Sequence, residues 1–190
     1  MNIVFEPIKH VYTVDGKRVP GVSEVMGNVL DSLGDEEPEN KEPSSAQIKG
    51  TIIHKTLELL DKDNLKEYDP RLKDYVDAWT SFKEQRKPEF LGIEMIGYNP
   101  VGLCGTIDRV CKINGSLWIL DIKSGKSYKG YQLQTAGYKL LIQPNYKEDI
   151  RRACIYFDKN NYVFVEHDDI QDEITFRAIL QVYKWKKNKL

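Results

Sequence analysis

The chain has 190 residues, of which 41% are hydrophobic and 30% charged, and its formal net charge is −1. This composition is typical of one globular domain with a sizeable core, and the near-neutral charge neither indicates nor excludes a nucleic-acid partner. No apolar stretch is as long as a membrane span, and the first residues lack the basic and apolar regions of a signal peptide. We therefore expect a cytoplasmic protein with no membrane association.

The predicted secondary structure is mixed. Asp-Gly at 15–16 and Asn-Gly at 114–115 separate β-forming runs and predict two hairpins, while Ser44 is suited to cap a helix and Pro70 to begin one. In chain order we predict a hairpin over residues 10–20, a short helix from 23, an acidic loop over 31–43, helices over 45–60 and 70–87, strands over 92–98, 103–113 and 117–123, a helix over 131–142, strands over 152–157 and 162–166, and a helix from about 169. This order predicts an α/β or α+β domain.

The three cysteines, Cys104, Cys111 and Cys154, are scattered along the chain. An odd number at such spacing disfavours a disulfide framework and also disfavours a four-thiolate zinc or iron–sulfur site. We expect small buried thiols in a reducing compartment.

Two acids and a lysine interrupt the apolar strands that flank the second hairpin. Asp121 and Lys123 follow the apolar run 117–120, and because residues i and i+2 of a strand share a face, their side chains project together while Ile122 packs on the other side. Asp108 interrupts the preceding strand. Neighbouring buried carboxylates require a cation or a proton, so this pattern favours a divalent-metal site for phosphodiester hydrolysis. The alternative is a structural Asp–Arg or Asp–Lys pair.

Two helical segments add polar side chains that such a site would use. His54 lies mid-helix among apolar residues, one turn after Gly50, which allows close approach of a substrate or another backbone segment. An ordinary core or surface histidine is the alternative. Gln134 and Tyr138 lie four residues apart on one helix face, and we predict that both face the metal cleft. Ordinary amphipathicity is the alternative for this pair.

The order of these motifs resembles the PD-(D/E)XK nuclease superfamily, and more closely its RecB-like exonucleases, which include phage recombination nucleases. The motifs are Gly-x-x-x-His ending at His54, Gly-Thr-Ile-Asp-Arg-Val around Asp108, Leu-Asp-Ile-Lys-Ser-Gly around Asp121, and Gln-x-x-x-Tyr ending at Tyr138. The resemblance implies a restriction-endonuclease-like core, with a central mixed β-sheet flanked by helices and an N-terminal β-hairpin. It also implies a single nuclease domain, with the hairpin and acidic loop over 1–43 and the nuclease core over 44–190.

The resemblance further assigns a role to each candidate residue. The implied metal ligands are His54, Asp108, Asp121 and the carbonyl oxygen of Ile122; the implied catalytic residues are Asp108, Asp121 and Lys123; the implied substrate-binding residues are Gln134 and Tyr138; and Glu94 is a supporting acid behind the ligands. Oxygen ligands suit Mg²⁺ or Mn²⁺, and the imidazole shifts the preference toward Mn²⁺. Some relatives carry four cysteines for an iron–sulfur cluster, and because this chain lacks them we expect no cluster.

The expected function is therefore that of a metal-dependent DNA exonuclease of phage- or prophage-type recombination or repair. Its substrate would be linear single- or double-stranded DNA. Its partner would be a recombinase or a single-strand annealing protein, and it would be open to homo-oligomer formation. A catalytically silent nucleic-acid-binding module of the same fold is the first alternative, and a structural α/β domain is the second. The intact set of His54, Asp108, Asp121 and Lys123 favours the enzyme, because a binding module has no need to retain all four.

Overall fold

The structure, a computed structural model, describes residues 1–7, 9–30 and 44–187, so the predicted acidic loop over 31–43 lies outside the described residues. The elements, in chain order, are β1 (Ile3–Glu6), β2 (Val11–Val14), β3 (Lys17–Val19), α1 (Val22–Leu30), α2 (Ser45–Asp61), α3 (Lys73–Arg86), β4 (Glu89–Asn99), β5 (Leu103–Ile113), β6 (Ser116–Lys123), α4 (Gly130–Ile142), β7 (Ile150–Asp158), β8 (Asn161–Glu166) and α5 (Ile170–Lys187). No helix within these described ranges is both long and apolar enough to span a bilayer.

A small antiparallel sheet opens the chain, with the strand order β1-β2-β3. The predicted hairpin is its β2–β3 pair, and the turn residues Asp15 and Gly16 both have positive φ, as a two-residue hairpin turn requires. The strand β1 was not predicted, because four residues are too few for an alternating pattern to stand out. Buried Tyr12 and Val14 pack with Cys104 of β5, which fixes this sheet beside the main one.

The main sheet has the order β4-β5-β6-β7-β8, and only its β6–β7 pair is parallel. The predicted central mixed sheet flanked by helices is thus confirmed. Asn114 and Gly115, both at positive φ, form the tight turn between β5 and β6. A parallel pair cannot be joined by such a turn, and here α4 provides the crossover from β6 to β7.

Two apolar cores lie against the main sheet. The first joins the sheet to α1, α4 and α5, and the second joins it to α2 and α3. Ser44 caps α2 as predicted: its hydroxyl accepts from the backbone N–H of Gln47, whose side chain accepts from the backbone N–H of Ser44. Ile53 and Leu57 then bury one side of α2 in the second core, which fixes the rotation of the helix and therefore the direction of His54.

A buried polar cluster ties α4 to β7 and α5. The Thr135 hydroxyl lies 3.0 Å from Nδ1 of His167, and Arg152 pairs with Asp172 at 3.2 Å. Burial, together with the charge of Arg152, lowers the pKa of His167 to about 4. His167 is therefore held neutral in the folded protein at neutral pH.

We expect His167 to make the protein less stable in mild acid. Below its unfolded pKa of about 6.5 the unfolded chain binds a proton that the folded chain does not, so stability is full above that pH and falls as pH decreases toward 4. Between pH 7 and pH 5 the wild type should lose about 2 kcal/mol more unfolding free energy than His167→Gln, measured by urea unfolding. Parallel pH profiles of the two proteins would contradict this assignment.

Candidate active site

Three carboxylates lie side by side on neighbouring strands of the main sheet. In β4, Ile93 pairs with Arg109 and Met95 pairs with Ile107. Glu94 lies between them and is therefore opposite Asp108. The β5–β6 ladder begins at Arg109, and one further step in the same register brings Asp108 opposite Asp121. Since residues that lie opposite each other share a face of the sheet, these acids form one row. We call Glu94, Asp108 and Asp121 the acid row.

His54 approaches the acid row from α2. Its Nδ1 lies 3.4 Å from Oδ1 of Asp108. One donor atom each of His54, Glu94 and Asp108 lie within 4.8 Å of one another, which is a suitable arrangement for holding a metal ion. Glu94 was predicted only as a supporting acid, yet it belongs to this compact group. Its backbone is left-handed, with φ 51, and this interrupts the strand at the site.

Asp108 is the most constrained of the three acids. It is buried, and its Oδ2 accepts the backbone N–H of Ile122 at 2.6 Å. Burial raises the pKa of Asp108, but His54, Lys123 and the Ile122 N–H together outweigh this effect and keep the pKa below its ordinary value. The Ile122 side chain packs in the second core, on the side away from Asp121. A ligand role for the Ile122 carbonyl oxygen stays a prediction.

Lys123 stands at the other end of the site, beside Asp121. Its Nζ lies 2.7 Å from Oδ2 of Asp121 and donates to Oε1 of Gln134 at 2.9 Å. The same nitrogen lies 4.2 Å from the centre of the Tyr131 ring, a cation–π contact. Burial lowers the pKa of Lys123, but the negative charges of Asp121 and Asp108 raise it by more than burial lowers it. The net shift is therefore upward, and the amine stays cationic.

The ionisation of the remaining groups follows from burial and from these neighbours. Burial lowers the pKa of His54, but Asp108 and the other acids outweigh it and raise the pKa to about 9. Burial, together with the charge of Asp108, raises the pKa of Glu94 to about 7. Burial also raises the pKa of Asp121, although Lys123 opposes the shift. In the absence of a metal ion, protonated His54 and Lys123 thus balance much of the negative charge of the acid row, and a metal ion bound by His54 would take the place of its proton.

Gln134 and Tyr138 lie beside the acid row, as the predicted helix face requires. The Gln134 amide nitrogen donates to the Tyr138 hydroxyl at 2.8 Å, while its oxygen accepts from Lys123. Both side chains line a cleft of about 910 Å³, together with His54, Glu94 and Asp108. The close approach predicted at Gly50 is to Ser124, whose hydroxyl lies 3.3 Å from the place that a Cβ would take.

A buried ion pair supports the acid row from behind, and the sequence analysis did not find it. The Arg109 side chain is fully buried; its Nε lies 2.7 Å from Oδ2 of Asp61, and its Nη1 lies 3.1 Å from Glu94. Asp61 also accepts from Nε1 of Trp79 at 2.8 Å and pairs with Lys83 at 3.0 Å. An arginine inside an apolar strand always needs an acid, and Arg109 could have been singled out on that ground.

Comparison with known proteins identifies a family for this chain. A family model described as the PD-(D/E)XK nuclease superfamily matches residues 28–186. A solved structure named "Putative exonuclease", from Eubacterium rectale, is 15% identical and has a TM-score of 0.48, with 87% of this chain and 81% of that chain covered. The structure of SSO0001 is 16% identical with a TM-score of 0.38, covering 85% of this chain and 83% of that chain. No curated protein matches. Because the family model covers most of the chain, including every candidate site residue, this chain belongs to the PD-(D/E)XK nuclease superfamily.

Proposed function

We propose that the protein is a divalent-metal-dependent DNA exonuclease that hydrolyses phosphodiester bonds. The observation that carries this proposal is the acid row, with His54 beside Asp108 and Lys123 beside Asp121. His54, Glu94 and Asp108 line one open cleft. Nucleases of this superfamily use divalent metals. The donor set fits such an ion, because one imidazole nitrogen and two carboxylate oxygens already lie within 4.8 Å of one another.

In this proposal His54, Asp108, Asp121 and the Ile122 carbonyl oxygen hold Mg²⁺ or Mn²⁺. Glu94 joins them as a ligand, since its carboxylate belongs to the same compact group as His54 and Asp108. Such an ion, when bound, would supply Lewis-acid chemistry, polarising the scissile phosphate and activating water for attack. Arg109 holds Glu94 in place through its contact at 3.1 Å.

Lys123, Gln134 and Tyr138 act on the substrate rather than on the cation. A cationic Lys123 places a positive charge beside the phosphate, where it stabilises the charge that develops in the transition state or orients the attacking water. The side-chain oxygen of Gln134 accepts a hydrogen bond from the Lys123 amine and so holds the amine in position. The Gln134 amide nitrogen and the Tyr138 hydroxyl offer polar contacts to the DNA backbone.

A DNA-cleavage assay tests the function directly. Linear and covalently closed circular DNA are incubated with the protein in Mg²⁺, in Mn²⁺ or in EDTA. We expect nucleotides to be released from linear DNA only, and only with metal. Cleavage of the closed circle would identify an endonuclease instead. Metal-independent DNA binding without any cleavage would favour the alternative, a catalytically silent module that partners a recombinase.

We expect Lys123→Ala to reduce turnover while leaving metal affinity nearly unchanged. The amine contacts Asp121 and Gln134 and is proposed to act on water or phosphate, so kcat should fall by about 100- to 1,000-fold. Isothermal titration with Mn²⁺ provides the second readout. A loss of Mn²⁺ binding as large as the loss of kcat would contradict this role.

We expect His54→Ala to weaken Mn²⁺ binding more than Mg²⁺ binding. Imidazole nitrogen is a better ligand for Mn²⁺ than for Mg²⁺, so removing it should raise the dissociation constant for Mn²⁺ by roughly tenfold and that for Mg²⁺ by less. Titration calorimetry of both ions measures the difference. Equal constants before and after the change would make His54 an ordinary helix residue.

The wider setting is also part of the proposal. The RecB-like resemblance supports a role in phage- or prophage-type recombination or repair in the cytoplasm, with a recombinase or single-strand annealing protein as partner. Co-purification with such a protein encoded nearby tests that role.

We also propose that residues 1–190 form one nuclease domain. In support, α1 buries Val22, Val25 and Val29 in the core shared with α4 and α5. Limited proteolysis that released 1–43 intact from a folded 44–190 would contradict it.

A further inference from the structure

Aromatic rings of the N-terminal sheet line the same cleft as Glu94 and Asp108 of the acid row. Phe5 stacks on Tyr12 with 4.6 Å between ring centroids, and His10 meets both rings edge-on, at 5.1 and 5.8 Å. Tyr12 is buried, whereas His10 is exposed and Phe5 is half-buried. All three line the cleft. No step of the proposed hydrolysis uses these rings.

Phe5, His10 and Tyr12, which we call the ring cluster, are held close to the acid row. The Tyr12 hydroxyl lies 2.9 Å from the hydroxyl of Thr106. Thr106 and Asp108 are two residues apart in β5, so they share a face and their Cα atoms are about 7 Å apart. A DNA strand whose phosphate reached the acid row would therefore bring its neighbouring bases to the rings.

The size of the cleft and the chemistry of the rings favour one class of ligand. A volume of about 910 Å³ is that of a pocket that encloses a small molecule, which suits a few nucleotides rather than a double helix. Aromatic side chains bind bases through their flat faces, with about 1–3 kcal/mol gained per stacked base and little dependence on sequence. In a duplex these faces are covered by neighbouring base pairs except for the outer face of the terminal pair, whereas an unpaired base can expose both of its faces and enter a narrow cleft.

Building on the nuclease function proposed above, we propose that Phe5 and His10 form a stacking subsite for the unpaired terminal bases of single-stranded DNA. The subsite gives the enzyme a preference for single-stranded ends over blunt duplex ends. His10 holds its ring in the cleft from a left-handed backbone position with φ 51 in the β1–β2 turn. Tyr12 supports the subsite from beneath, because its hydroxyl is already engaged by Thr106.

The test uses variants that remove an aromatic ring but preserve the backbone conformation and the packing around it. His10→Asn tolerates the left-handed backbone, and His10→Tyr restores an aromatic ring. Phe5→Leu keeps the apolar packing against Tyr12. Tyr68→Leu is the matched control, since Tyr68 is an exposed aromatic residue, at 39%, outside the cleft. Circular dichroism confirms that each variant is folded.

The first measurement is binding of a single-stranded oligonucleotide with 2-aminopurine at its end, in Ca²⁺ and without turnover. Stacking should quench the probe in the wild type and in His10→Tyr. His10→Asn and Phe5→Leu should lose the quenching and raise Kd by about tenfold, and Tyr68→Leu should behave as the wild type. Equal quenching in every variant would overturn the subsite.

The second measurement separates the subsite from the proposed hydrolysis. In Mg²⁺ the ring-removing variants should raise KM for single-stranded ends by about tenfold, with kcat within about twofold, and leave blunt duplex unaffected. If the wild type cleaves and these variants match it, the subsite is wrong and the nuclease function stands. If no protein cleaves but quenching still depends on the rings, the subsite stands and the hydrolysis falls.

Discussion

Asp108→Asn should lose metal-dependent cleavage of linear DNA by at least about 1,000-fold, because it removes the central charge of the acid row. Asp108 contacts His54 at 3.4 Å and the Ile122 backbone at 2.6 Å, so no neighbouring side chain can take its place. The amide keeps the shape of the side chain and removes a buried negative charge. In the wild type that charge is balanced by His54, which helps to keep the pKa of Asp108 below its ordinary value, so we expect the thermal midpoint of the variant to fall below that of the wild type.

Two measurements on the same preparations check this result. Cleavage rates in Mg²⁺ test the loss of activity, and thermal unfolding tests the change in thermal midpoint. Asp74→Asn is the matched control, since Asp74 is an exposed acid in the first turn of α3, far along the chain from the acid row. It should cleave within about twofold of the wild type. Full activity in Asp108→Asn would place the reaction elsewhere in the molecule.

Asp61→Ala should reduce the free energy of unfolding by about 3–5 kcal/mol, the largest stability effect that we expect. The Asp61 and Arg109 side chains are both fully buried, and their contact is 2.7 Å. Removing the acid leaves a charged guanidinium in the interior and also takes away the acceptor of the Trp79 indole N–H. Urea unfolding followed by tryptophan fluorescence measures the loss.

A surface pair provides the control for this prediction. Asp77 pairs with Lys73 four residues earlier on α3, and the two side chains are 38% and 66% exposed to solvent. Asp77→Ala should therefore change stability by about 0.5 kcal/mol or less. The double variant Asp61→Leu/Arg109→Met should recover part of the loss, because it removes both charges together. A loss in Asp61→Ala no larger than that of the surface control would show that Glu94 alone is enough to balance the buried guanidinium.

Local patterns in the sequence were sufficient for much of the fold. The two Asx-Gly turns, the Ser44 cap and the alternation around Asp121 each depend on residues a few positions apart, and the structure has the elements that they predict. The face shared by Asp121 and Lys123 follows from strand geometry alone. Such features are set by neighbouring residues, so a single sequence carries them.

The interactions that the sequence did not predict are those between distant segments. Asp61 and Arg109 are 48 positions apart, and nothing near either residue identifies the other. Glu94 is predicted from the sequence only as a supporting acid. Its position in the metal-binding group depends on the register between β4 and β5, which the pattern of β4 alone does not determine. The metal-binding and catalytic roles of the site residues stay predictions until the variants are measured.

The left-handed backbone at Glu94 lowers the stability of the fold while it places a carboxylate in the proposed metal site. A non-glycine residue at φ 51 within a strand costs about 1–3 kcal/mol, and here it also places a carboxylate beside Asp108. Asparagine adopts this conformation more readily and carries no charge, so selection for thermal tolerance alone would favour it at this position. A thermostabilised descendant of this chain would therefore be expected to gain melting temperature at residue 94 while losing its affinity for the metal.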